Sequence, residues 1–481
     1  MRTILFLDDW PILADQGIDR RWFQAEPWPC KDPWVDPLLA YCSVSTVTHD
    51  PQVGKWRMWG SGMTRRDIND EGFCLCAYES ADGFDWQPML QAPLVDRSAK
   101  PKASHIVFSG EYSGANAVFL DEREPDPDRR YKLVYSDLSP NMIDTSYGTC
   151  RIATSPDGLH WTIDRDAVWR RQHVDTLFST VYNPYTQCYQ WTSRAVVADR
   201  RITLDQTSDW KHFEKPQIIV HPDPSDMKGV EFYGMPQFFY EGYFIGFLWR
   251  EWAAPFELIG STRILGRVDS ELVYSVNGLA WNRTNRQNFL PDRGWGKDNF
   301  GSEYPTAMIM DDEGWLRVYT TSCVGEHNDW NKFSNDETIS CVTLSRWRRD
   351  GFCALESHSD TGSLLLKGIL PYGGPILLNA ITGRFGNIRA ELRKLDNTPY
   401  SGFELENCIP VNGDGHHLPL RWQKNGELLD TLNTLKDQPV RIYLELEQAR
   451  LYAVRVDADL VYCLIPEPNL AGDYIEGKIF Y

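Results

Sequence analysis

Three observations in this sequence predict an all-β protein, a five-bladed β-propeller followed by a C-terminal β-sandwich. One phrase recurs, as Ser80-Ala-Asp-Gly-Phe-Asp-Trp86, Ser155-Pro-Asp-Gly-Leu-His-Trp161 and Ser275-Val-Asn-Gly-Leu-Ala-Trp281. Short runs of alternating polarity fill the intervals, and no stretch reads as a helix longer than about two turns. Past Arg348-Arg-Asp-Gly-Phe352 the phrase disappears while the alternation continues.

The phrase has a physical reading. Asp-Gly or Asn-Gly supplies the left-handed backbone that a tight hairpin needs, and the Trp then opens the returning strand and covers the apolar seam. A weaker copy, Thr207-Ser-Asp-Trp-Lys-His-Phe213, keeps the polar start, the Asp and the final aromatic without the Gly. Repetition at intervals of roughly 50 to 75 residues, filled with strands, fits four-stranded blades carrying loop insertions.

In chain order, residues 3–7 read as a strand, and Pro27, Pro29, Pro33 and Pro37 keep the next segment irregular. The first unit runs through Tyr41–Thr48, Lys55–Trp59 and 72–80 into the first hairpin. The second places Asn116–Leu120 and Arg130–Tyr135 before Gly148–Ser155. A third starts near Val174 and continues through Cys188–Trp191. The fourth runs from Val230 through Tyr243–Trp249 to Ser270–Ser275. The fifth begins near Tyr304 and uses Ala307–Met310, Trp315–Tyr319 and Ile339–Leu344, and the N-terminal strand is expected to close it. The propeller is thus assigned to residues 1–352 and the sandwich to residues 353–481. The sandwich strands are read at Ser363–Leu366, Pro375–Asn379, Asn387–Leu392, Val440–Leu446, Ala449–Val456 and 475–480.

Composition narrows the partners. The 481 residues suffice for two domains, and a formal net charge of -18 argues against nucleic acid or an anionic membrane. No run of 18 apolar residues occurs, and the first apolar run is too short and too quickly acidic for a secretory signal. Eleven scattered cysteines without a CxxC pair fit a reduced, cytoplasmic chain, in which the Asn282-Arg-Thr284 sequon is idle. No nucleotide, serine-hydrolase or metal motif is present, so neither a cofactor nor a metal is expected. A homo-oligomer is compatible with the sequence.

A propeller directs chemistry to the inner strands, where acids from separate blades face one another and split their proton affinities. The acids so placed are Asp36, Asp175, Glu231 and Glu303; the second blade has Asn116 instead. Two opposed carboxylates suffice for glycosidic bond cleavage. Glu231, set between aromatics, is read as the general acid and Asp175 as nucleophile or base, while Glu303 completes the catalytic group and Asp36 orients sugar hydroxyls. His173, Arg250 and His327 are read as further substrate contacts. For each acid the plain alternative is a solvated turn residue or a strand-end hydrogen-bonding group, and for Arg250 a structural ion pair.

With these features the chain resembles five-bladed propeller proteins similar to glycoside hydrolase families 32 and 43, in a bacterial branch that carries a C-terminal β-sandwich. The resemblance rests on Leu5-Phe-Leu-Asp-Asp9, the hairpin phrases, Phe232-Tyr-Gly-Met235, Arg349-Asp-Gly-Phe352 and Ala449-Arg-Leu-Tyr-Ala-Val-Arg455. It implies three acids on different blades and cleavage of glycosides such as fructosides, arabinosides or xylosides. The Asn-Asp-Pro-Asn, Arg-Asp-Pro and Glu-Cys motifs of those enzymes are missing at usable positions, so no role is transferred residue by residue. The expectation is a glycoside hydrolase or transglycosidase with a carbohydrate substrate. The alternatives are a non-catalytic carbohydrate-binding or scaffold propeller, and a lyase or phosphorylase on the same ring.

Overall fold

The computed structural model describes residues 1–36, 39–64, 74–89, 105–108, 113–138, 148–171, 174–195, 200–253, 266–291, 301–327, 339–357 and 361–460. Among them the architecture is all-β: small antiparallel sheets of three to five strands and two larger ones of eight and nine strands, with helical structure confined to short 3-10 turns. No helix among the described residues is long and apolar enough to cross a membrane. The chain divides into two compact units, one spanning residues 24–346 and the other formed by residues 1–23 together with 347–481.

In the first of these units the strands follow the chain in successive antiparallel groups. Group one orders Leu39–Asp50, Lys55–Thr64, Cys74–Ser80 and Gln87–Pro88, and group two Ser113–Leu120, Tyr131–Leu138, Gly148–Ser155 and Thr162–Arg170. Group three contains Val174–Asn183, Cys188–Ala195, Ile202–Thr207 and Gln217–Val220. In group four, Val230–Gly234 and Gln237–Tyr240 share the partner Tyr243–Ala253, followed by Gly266–Ser275 and Trp281–Asn288. Group five orders Ser302–Met310, Trp315–Cys323, Ser340–Arg348 and the short Glu26–Pro27, and touches group four through the parallel pair Val268 and Ser302.

The repeated phrase builds one turn four times. Ser80 Oγ accepts the amides of Asp82 and Gly83 at 3.3 and 2.9 Å, and Asp82 Oδ1 accepts those of Phe84 and Asp85 at 2.8 and 3.2 Å. Ser155 with Asp157, Ser275 with Asn277, and Thr207 with Asp209 repeat the pattern. Gly83, Gly158 and Gly278 have φ of 78°, 75° and 77°, and Trp210 holds the same place at 62° in the copy that lacks glycine. Each of three hairpins is clasped by another group. Tyr319 donates to Gly83 O at 2.9 Å, Trp59 Nε1 to Gly158 O at 2.9 Å, and Asn183 Nδ2 to Asn277 O at 2.9 Å. A Cβ on Gly158 would stand 2.6 Å from the Trp59 ring, so that seam needs both the positive φ and the missing side chain.

The second unit corrects the expected role of the N-terminal strand. Arg2–Leu5 pairs with Ala453–Val456, not with group five, because Ile4 and Phe6 enter the apolar core that holds Leu451, Val454 and Val456. Ile12–Gln16 and Ile18–Trp22 likewise pair with Gly362–Leu366 and Cys353–Ser357. The edge of group five is met instead by Glu26 and Pro27, opposite Arg346 and Ser345. The four expected sandwich strands at 375–379, 387–392, 440–446 and 449–456 are two long ones, Ile369–Arg393 and Arg441–Leu460, whose mutual register shifts between Thr382 and Asn387. They belong to an eight-stranded sheet, beside a three-stranded sheet formed by Cys408–Ile409, Arg421–Lys424 and Glu427–Leu429. The expected strand at 475–480 lies outside the described residues.

Candidate functional site

Strand Tyr243–Ala253 is buried along nearly its whole length, yet carries Arg250 and Glu251 side by side. Successive residues of a strand leave it on opposite faces, so the two charges meet different surroundings.

On the Glu251 face, Glu231 stands directly opposite across the ladder. Cross-strand partners place their Cβ atoms roughly 5 Å apart. Glu251 is fully buried, and neither of its carboxylate oxygens accepts a hydrogen bond among the described residues. Its charge is met by an ion pair with Arg200 Nη1. The same guanidinium brings Nε within 3.5 Å of Glu231 Oε2, an ion-pair contact that falls short of a hydrogen bond, and that oxygen also has no hydrogen-bond partner. The Glu231 side chain is 25% exposed, so it is the member of the pair that solvent reaches.

Tyr233, two residues on at an irregularity in the ladder, is the floor of the cluster. The Arg200 and Arg194 guanidinium carbons lie 5.1 and 4.7 Å from its ring centroid. Its ring is 4.4 Å from that of His327 and 6.0 Å from that of Tyr304, and Tyr304 Oη lies 3.2 Å from His327 Nδ1. Burial pulls Arg194 down to about 10, although Tyr233 works against the shift. Burial first, and then the two guanidiniums, push His327 well below the ordinary imidazole range, so it is neutral at pH 7. Two guanidiniums, two carboxylates, phenols and a neutral imidazole make a surface rich in both donors and acceptors, framed by aromatic rings. Such a surface can hold a polyhydroxylated ligand and move a proton.

The Arg250 face is different. Arg250 Nε donates to Asp269 at 2.8 Å, and Nη1 donates to the Arg286 carbonyl at 2.6 Å while lying 3.5 Å from Glu271. Arg283 bridges Glu271 to Asp226, and Arg286 grips Asp223, holding that carboxyl down at about 2. Arg250 is therefore part of an ion network on the opposite face of the strand from Glu251, which is the structural ion pair that the sequence offers beside a substrate contact.

The remaining expected site residues come from other segments of the chain. Asp36 is buried at the start of group one, where Oδ1 accepts the Leu39 amide at 3.1 Å and Oδ2 meets Tyr78 Oη at 2.5 Å and His105 Nε2 at 3.0 Å. Glu303 is buried on Ser302–Met310, next in sequence to Tyr304. Asp175 lies on Val174–Asn183, a strand whose Thr176 donates to the Tyr233 carbonyl at 3.1 Å. The Asp175 side chain and the whole of His173 lie outside the described residues.

Of the predicted residues, Glu231 and His327 share one cluster, and sequence reasoning missed other members of it, among them Glu251, Tyr233 and Arg200. Glu251 had a signal, a carboxylate inside the apolar run of Tyr243–Ala253, and Tyr233 had one in its aromatic neighbours. Arg200 had none, because no local pattern marks it as the cation between two carboxylates from other strands.

No family model matches this chain, and no curated protein matches it. Solved structures are similar at low identity. A GH32 β-fructofuranosidase of Bombyx mori is 9% identical, with 91% of this chain and 94% of that one covered, at a TM-score of 0.42. An N-acetylgalactosamine deacetylase from F. plautii, solved with blood group B trisaccharide, is 11% identical, with coverage of 69% and 96% and a TM-score of 0.44. A structure from the GH130 family of mannoside phosphorylases, which contains glycoside hydrolases that target β-1,2 mannosidic linkages, is 10% identical, with coverage of 72% and 97% and a TM-score of 0.45.

Proposed function

We infer that residues 24–346 form a five-bladed β-propeller, one blade per strand group, that hydrolyses or transfers a glycosyl group of an oligosaccharide or glycoside. Hairpins in groups one, two and four, each clasped by the group before it in a ring that runs from five back to one, support the circular arrangement. In this reading the second unit is an accessory β-sandwich. The observation that carries the function is the Glu231–Glu251 pair, two carboxylates facing each other across one ladder beside an aromatic floor.

Glu231 handles the proton: its side chain is the one of the pair that solvent reaches, and Arg200 makes no hydrogen bond to its Oε2. Asp175, on the strand whose Thr176 donates to the Tyr233 carbonyl, is assigned as nucleophile or base, and Glu303 completes the catalytic group. His327, neutral and next to Tyr233, is assigned as a contact for substrate hydroxyls. Asp36 favours a second reading, a carbohydrate-binding propeller without turnover, since Leu39, Tyr78 and His105 already engage its carboxylate.

A screen of aryl glycosides and oligosaccharides against wild type and Glu231→Gln separates the two. Turnover by wild type that falls roughly 10²- to 10⁴-fold in the variant supports the enzyme and the role of Glu231. Equal turnover removes Glu231 from the mechanism. Saturable binding of a glycan with no turnover in either protein establishes the second reading.

A further inference from the structure

Arg200 sits between two carboxylates and favours the one that solvent does not reach. Its Nη1 is paired with the buried Glu251, whereas its Nε stops at 3.5 Å from Glu231 and makes no hydrogen bond to it. Taken alone this is an odd preference. A guanidinium pairs best through two parallel N–H bonds to one carboxylate, and the partly exposed Glu231 already lies within ion-pair range of it. What prevents it is Glu251, whose oxygens have Arg200 as their only cation partner in the described structure and which cannot reach water. Leaving a buried carboxylate without its cation costs far more than leaving a partly exposed one, so the guanidinium stays on the inner side.

We propose that Glu251 is a positioning residue that holds Arg200 off Glu231. This rests on Glu231 being the proton-handling residue of the site. The inner carboxylate takes up the guanidinium's charge, and the outer one, whose side chain solvent reaches, is left without a hydrogen bond from it. The other charged or titratable groups facing the pair do not replace this function. Arg194 feels Glu231 as well but rests on the Tyr233 ring and forms no ion pair with either carboxylate among the described residues, and His327 is neutral. Once Glu251 loses its charge, Arg200 closes on Glu231 and hydrogen-bonds the carboxylate that has to handle the proton.

The test is a cycle of Glu251→Gln, Arg200→Gln and the double variant, read by kcat and KM on a glycoside found in the screen. It is combined with the side-chain Nε–H NMR signal of Arg200 in arginine-labelled protein. Expected is a fall in kcat of at least 10-fold for Glu251→Gln with KM changed less than 3-fold, and recovery of at least 3-fold in kcat when Arg200→Gln is added. The Arg200 Nε–H, rapidly exchanging in wild type, becomes protected in Glu251→Gln. A double variant no better than Glu251→Gln, or an Nε–H already protected in wild type, overturns the proposal. The wild-type signal is decisive even if Glu251→Gln does not fold, and Glu251→Asp, which keeps the charge, should then retain more kcat than any neutral replacement that folds. Because the NMR readout needs no substrate, absence of glycosidase activity would sink the functional reading and leave the positioning of Arg200 still measurable.

Discussion

The two faces of strand Tyr243–Ala253 bear the same kinds of charge and treat them in opposite ways. Behind Arg250, two further arginines and four carboxylates are joined by hydrogen-bonded ion pairs, several of them two-pronged. Around Glu251 a single guanidinium serves two carboxylates, and three of the four carboxylate oxygens of the pair are buried without a hydrogen bond. A network whose donors and acceptors are matched stabilises a fold and does little else. A cluster left short of partners is costly to keep, and such shortfalls concentrate where ligands bind.

The contrast can be broken at several points. Arg283→Met removes the cation shared by Glu271 and Asp226, and should cost about 3–5 kcal/mol in denaturant unfolding while leaving glycan binding by the folded fraction intact. Arg250→Met should cost about 2–3 kcal/mol with kcat and KM unchanged. An Arg250→Met protein of wild-type stability and impaired turnover would return Arg250 to the site and erase the distinction between the faces.

His327 sharpens the comparison through pH. Its folded-state proton affinity lies below that of the unfolded chain, so below pH 6.5 the unfolded state binds the extra proton. Stability should therefore rise with pH up to the ordinary imidazole range and level off above it. His327→Gln should flatten that slope by up to about 1.4 kcal/mol per pH unit, measured as unfolding midpoints from pH 5 to 8. Tyr233→Leu, which removes the ring under both guanidiniums, should cost about 1 kcal/mol of stability and weaken glycan binding measured by calorimetry.

Much of the strand layout was legible because hairpin chemistry is local. Ser80, Asp82 and Gly83 interact within a few residues, and the turn they form is written in the sequence that forms it. The copy at Thr207 was recognisable without glycine because the hydroxyl and Asp209 carry the hydrogen bonds, while Trp210 accepts the positive φ. The site was less legible. Alternation places Arg250 and Glu251 on opposite faces, but in a strand buried on both sides it does not say which face is which. The N-terminal strand was misplaced for a related reason, since a run such as Ile4-Leu-Phe-Leu7 suits any apolar edge and only the partner's shape selects one.

Glu26 and Pro27 meet Arg346 and Ser345 across more than 300 residues of chain. During synthesis that short piece emerges at the beginning of its unit and must wait until nearly all the rest has been made. The last sheet then offers an open flank for most of that time, and final locking becomes a late event limited by how far apart the two ends lie along the chain. A protein so arranged is most exposed to sticking to its neighbours just before it is finished.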